Sequence, residues 1–174
     1  MAEHIEPNIE PYVEPWMRGP LPGVDPLLAP LLYCFQHARD DISKFASDLT
    51  IAQLWARPYG FGSVGFHIRH AGGAADRLCT YLEGDQLSAE QLDFLRNEMA
   101  EGARFESLFE ELHRHLSRVE AVVKALNPDT LREPRAVGRK RLPTTVIGLI
   151  VHICEHTQRH VGQAISASKL VRQL

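Results

Sequence analysis

The stretch VHICEHTQRHVGQ, residues 151–163, sets three histidines (His152, His156 and His160) at intervals of four in an otherwise apolar segment. Residues four apart lie one above the other on a helix, separated by about 6 Å of rise, so two imidazoles at that spacing can converge on one ion. Metal–nitrogen distances are about 2.0–2.1 Å. Residues eight apart are separated by about 12 Å and do not share an ion comfortably. At most one adjacent pair can therefore serve, and His156 belongs to either. The apolar stripe runs through Val146, Leu149, Ile150, Ile153, Val161 and Ala164. At about 100° per residue, His160 falls inside this stripe, His156 near its border and His152 at its outer edge. The inward pair is His156 and His160.

Three more long amphipathic segments precede this one. Leu28, Leu31, Phe35, Ala38, Ile42, Phe45 and Leu49 alternate by three and four, as do Phe105, Phe109, Leu112, Leu116, Val119, Val123 and Leu126. Between them, Val64, Ile68, Ala71, Ala75, Leu78 and Leu82 form a third stripe, with Ser63 as its N-cap and Gly84 at its end. Ser88 and Gln91 stand in capping-box register and predict a short connecting helix. Prolines at 7, 11, 15, 20 and 22 keep residues 1–25 irregular, with Trp16, Met17 and Leu21 expected to anchor this arm. Residues 128–143 read as a polar loop, and Pro143 and Thr144 as the head of the last helix. No stretch alternates as a strand does. The pattern predicts an all-α four-helix bundle, one domain over 1–174, with a proline-rich N-terminal arm.

Composition narrows the function. A net charge of −3 gives no electrostatic footprint for nucleic acid, and the one basic cluster, GRKRL at 138–142, is a short loop segment. The longest apolar run, VIGLIV at 146–151, is far too short to cross a bilayer. Three widely spaced cysteines (Cys34, Cys79, Cys154) read as reduced, mostly buried thiols, and the acidic N-terminus lacks a signal-peptide pattern; the expected location is cytoplasmic.

The third ligand of a metal site would come from the second long helix, which carries His67 and His70. If that helix runs antiparallel to the last, with Glu83 level with Thr144, His67 lies level with His160. His67 also points nearer the middle of its stripe, and His70 about 60° away toward the edge. Periodicity leans to His67, while a cleft open to substrate suits the edge residue; the spacing leaves the choice open. Histidines on apolar faces are often packed core residues. Five on two facing helices are harder to explain so, because each buried imidazole needs its own partners. His4, His37, His113 and His115 are scattered and read as surface or packing residues.

SVGFHIRHAGGAADRLCTYLEG (63–84) together with TVIGLIVHICEHTQRHVGQAI (145–165) resembles the DinB-like superfamily of metal-binding four-helix bundles, which includes the YfiT-type proteins. The helix-two pattern, a Ser with a His seven positions on, falls on Ser63 and His70. The pattern His-x-x-x-His-x-Gly-Gln falls on His156, His160, Gly162 and Gln163. The resemblance implies a divalent metal held by His70, His156 and His160 with open positions for water or substrate, with His67 as the alternate ligand. Zinc or nickel leads among the metals that imidazoles suit, with iron and copper behind.

It further implies metal-dependent hydrolysis, or transfer reactions using a low-molecular-weight thiol, on a small-molecule substrate. The motif is HTQRH rather than HExxH, so Thr157 stands where a zincin has its glutamate base. Glu155 points about 100° away from His156. Asp76 and Tyr81 follow His70 on helix two as candidate assistants, but no general base is assigned. A ferritin-like di-iron site needs Glu-x-x-His pairs that helix four lacks. The competing reading is a non-catalytic, stress-associated bundle whose metal is structural or whose helices pair into a homodimer.

Overall fold

The computed structural model describes residues 12–174. Its main helices are α1 (Ala29–Ala46), α3 (Val64–Glu83), α5 (Phe105–Ala125) and α6 (Val146–Val171). A short α2 (Ile51–Trp55) follows α1, and α4 (Ala89–Asn97) connects α3 to α5. Helix α6 packs between α1 and α3, and α5 packs against both α3 and α1, which closes the four-helix ring. No helix among the described residues is long and apolar enough to cross a membrane.

The boundaries follow from local chemistry. The Ser63 hydroxyl accepts the Phe66 N–H at 3.2 Å and starts α3. Gly84 ends α3 in the left-handed region at φ 93, the geometry that lets its N–H and that of Asp85 reach back to the last-turn carbonyls. Ser88 and Gln91 form the expected capping box of α4. Thr145 caps α6 by accepting the Gly148 N–H at 3.1 Å.

The stripes pack as their periodicity requires. Phe35, Ala38 and Ile42 of α1, Ile68 and Leu82 of α3, Leu112, Leu116 and Val119 of α5, and Ile153 and Val161 of α6 are all buried in one core. Helix α3 is the most enclosed: Val64, Gly65 and His67 to Ile68 at its start, then nearly everything from Ala71 to Leu82, are buried. Its small residues allow this. A Cβ on Gly72 would stand 3.2 Å from the Leu112 backbone, and one on Gly65 would stand 2.9 Å from the Trp55 indole, so α5 and α2 both press close to it. The Trp55 Nε1–H donates to the Ala103 carbonyl at 2.9 Å and ties α2 to the start of α5.

Three expectations need correction. The segment read as a polar loop contains a 3-10 turn, Pro128–Arg132, and an antiparallel hairpin, β1 (Pro134–Val137) with β2 (Leu142–Thr145), in which Val137 pairs with Leu142. Each strand holds four residues and one proline, too few to show alternation. Pro143 and Thr144 therefore belong to β2, and α6 begins at Val146. In the arm, Trp16 and Met17 are exposed, and Leu21 and Val24 are what rest on the core. Arg18 instead pins the arm to α1 by pairing with Asp40 at 2.9 Å. Residues 1–11, including His4, lie outside the described residues.

Candidate metal centre

Helices α3 and α6 face each other along most of their lengths. Three histidines meet in that interface: His70 of α3 with His156 and His160 of α6, each able to offer one nitrogen within 4.8 Å of the others. The ring centroids are 4.4 Å apart for His70 and His160, 4.6 Å for His156 and His160, and 5.2 Å for His70 and His156. This three-histidine group could hold a metal ion. His67 is also there, buried, with its Nδ1 3.0 Å from Nδ1 of His160, the level that the antiparallel register predicts. His152 points outward and pairs with Glu155 at 2.7 Å.

The chemistry of these side chains fits an ion. Burial, with like charge on neighbouring imidazoles, pushes the His160 pKa down to about 3 and that of His67 to about 4, and lowers that of His156. At neutral pH these rings are uncharged, the form that ligates a metal. The Nδ1 contacts of His70 (to Glu98) and His160 (to His67) leave the Nε2 atom of each for an ion.

A carboxylate that no motif suggested orients His70. Glu98, only 3% exposed, sits at the end of α4. Its Oε2 lies 2.7 Å from His70 Nδ1, and its Oε1 accepts from Arg77 Nη1 at 2.6 Å. His70, Gly73 and Arg77 fall at intervals of three and four, so they share the face of α3 beneath α4. Gly73 leaves the room: a Cβ there would stand 2.4 Å from the Phe94 ring and 2.8 Å from Glu98 Oε1. A carboxylate on the far nitrogen of a ligating histidine fixes its tautomer and raises its basicity. In sequence, Glu98 lies in the polar run RNEMAEG, and only the Gly72–Gly73 pair in mid-helix hinted at a close approach on that side.

A cavity of about 370 Å³ opens on His67 rather than on the triad itself, with Phe61, Arg159, Gly162, Gln163 and Leu170 in its wall. A larger one, about 630 Å³, lies between α3, α4 and α5 and has no histidine of the triad in its wall. It borders the Glu98 side of the centre through Arg77 and Gly73. Asp76 faces this second cavity, where it takes hydrogen bonds from Gln91 (2.6 Å) and Arg118 (3.0 Å). Asp76 is thus engaged elsewhere, as is His115, which lies 3.8 Å from it. Tyr81 is buried in the core cluster.

A four-helix bundle whose facing helices bring three imidazoles to one point is compatible with metal binding. The chain belongs to the DinB superfamily, whose family model matches residues 35–164. That span runs from α1 to Ala164 of α6 and contains His70, His156 and His160. A search of curated proteins returns no match.

Proposed function

We propose that the protein binds a divalent metal through His70, His156 and His160, and that it uses the site to transfer a low-molecular-weight thiol to a small electrophilic substrate. The observation that carries this is the three-nitrogen group itself, with a ligand-sized cavity next to His67, the neighbour of His160. A divalent ion held there, zinc or nickel first and iron or copper next, would supply Lewis acidity toward a thiol or water.

The surrounding side chains favour the thiol over water. Hydrolysis also calls for an acid or base to move protons to the leaving group, and the nearby carboxylates are committed: Glu98 to His70 and Arg77, Glu155 to His152 and Arg159 on the surface. A thiol is far more acidic than water, and a coordinating thiol is deprotonated without a protein base. Metal-dependent hydrolysis is therefore the second reading. Phe61, Gly162 and Leu170 supply apolar wall for the substrate, and Arg159 a positive charge at its rim. Free Cys34, Cys79 and Cys154 suit a cytoplasmic setting.

Metal analysis of protein purified without a histidine tag tests the site. The expected result is about one metal per chain, as a single His₃ site takes, lost in H70A, H156A and H160A and kept in H67A. Loss in H67A as well would mark a closed, four-imidazole structural site and restore the non-catalytic reading. Thiol transfer is then assayed with glutathione and cysteine as donors and a chlorodinitrobenzene acceptor. A metal-loaded protein inactive with thiols but active on ester or amide substrates would reverse the order of the two readings.

A further inference from the structure

Helix α6 turns His156 and His160 toward α3 and its other side toward α1. On that other side, Cys34 of α1 meets Cys154. The Cys34 Sγ–H donates to the Cys154 carbonyl at 3.4 Å, which sets the two cysteines side by side. One turn on, Gln158 donates to the Cys34 carbonyl at 2.9 Å and to its Sγ at 3.4 Å, which holds the pair in register. Cys34 also lines a cavity of about 410 Å³ between the N-terminal arm and α1, walled by Trp16, Tyr33, His37 and Gln158. Cys154 is half-buried, whereas Cys79 is enclosed in the core. Two cysteines side by side across a helix pair, one of them lining a cavity wide enough for small molecules, form a different chemical object from three isolated core cysteines.

We propose that Cys34 and Cys154 are a peroxide-reactive dithiol that closes to an intramolecular disulfide joining α1 to α6. The more exposed Cys154 sulfur attacks one oxygen of hydrogen peroxide; the O–O bond breaks, and the departing hydroxide leaves as water with the thiol proton. The resulting Cys154 sulfenic acid is attacked by the Cys34 sulfur, the S–O bond breaks, and a second water leaves with the Cys34 proton. Two thiols and one peroxide give one disulfide and two waters, both sulfurs being oxidised as both peroxide oxygens are reduced. The bond encloses the chain between residues 34 and 154, a long loop whose closure restrains the unfolded chain. It fastens the helix that carries His156 and His160 to its neighbour, and a thiol reductant reverses it.

The test treats the whole protein with hydrogen peroxide, denatures it, alkylates free thiols and weighs the product. Untreated protein takes three alkyl groups, one for each cysteine. Oxidised protein is expected to take one, on Cys79, to weigh two hydrogen atoms less before alkylation, and to yield a peptide pair linked through Cys34 and Cys154. Its Tm should rise by several degrees and fall back on reduction. C34S and C154S should each abolish the crosslink, and C34A and C154A check that a folding defect is not the cause. Three alkyl groups after oxidation, a link through Cys79, or a link only between chains would overturn the assignment.

Discussion

Replacing Glu98 by glutamine keeps the shape of the side chain and removes what makes it useful. The carboxylate receives two donors, His70 Nδ1 at 2.7 Å and Arg77 Nη1 at 2.6 Å. An amide has one oxygen, so one donor must face an NH₂ group. A charge-assisted hydrogen bond contributes about 1.5–3 kcal/mol, and an Arg77 left buried without its counter-charge adds to the loss, breaking a buried pair costing about 3–5 kcal/mol in all. The Arg77 side chain is 10% exposed, so solvent offers it little relief. E98Q should therefore lose about 3 kcal/mol of stability in the metal-free protein, a Tm drop of roughly 6–12 °C for a chain of this size. With His70 no longer fixed, metal affinity should fall about 10- to 100-fold. Guanidinium unfolding of the metal-free protein and competition against a chelator give the two numbers separately. E83Q is the control, because Glu83 pairs with Arg118 at the surface and should cost below about 1 kcal/mol. If E98Q matched E83Q in both measurements, Glu98 would be a bystander and the account of His70 would be wrong.

G73A should show the opposite of the usual mid-helix gain of about 1 kcal/mol. Its Cβ must displace Phe94 and Glu98, so a net loss of about 1–2 kcal/mol is expected from overpacking, with weakened metal binding by titration. G162V puts a side chain where a Cβ meets nothing within 4 Å, in the cavity wall; metal content should hold while thiol-transfer turnover falls, and unchanged turnover would place the substrate elsewhere. The metal-free protein should be acid-labile from unusually mild pH. The folded pKa values of His160 (about 3) and His67 (about 4) lie below the ordinary histidine value of 6.5. The unfolded chain thus binds more protons in between, and stability present above pH 6.5 is lost as pH falls toward 3–4. Denaturation midpoints at pH 7.5 and 5 measure this, and an H67N/H160N variant should flatten the difference.

The bundle was legible because each long helix buries one stripe, and stripes survive in a bare sequence. Caps were legible for the same reason: Ser63, Gly84, Ser88 and Gln91 act through neighbours in the chain. His156 and His160 followed from rise and angle alone, and so did the level of His67. The preference between His67 and His70 did not. Measuring the angle from the stripe's centre treats the edge of α3 as the way to solvent, whereas α4 covers that edge and brings Glu98 to it. His70 was reached only through resemblance. Glu98 was invisible because its partners, His70 and Arg77, lie 28 and 21 residues away across a turn. The hairpin was missed because it relies on cross-strand bonds between segments too short to carry a period.

The burial of α3 divides the molecule into a part that resists change and a part that accepts it. Around Ala71–Ala75 nearly every direction is occupied by a neighbour, so a new side chain there must first move a helix. Across the interface, α6 shows Arg159, Gly162, Gln163 and Ser166 to an open cavity, and a Cβ on Gly162 would meet nothing within 4 Å. The three-histidine group straddles the two, with His70 on the crowded helix and His156 and His160 on the one that borders the cavity. A protein engineer seeking a new substrate would randomise one face of a single helix and leave the other three untouched.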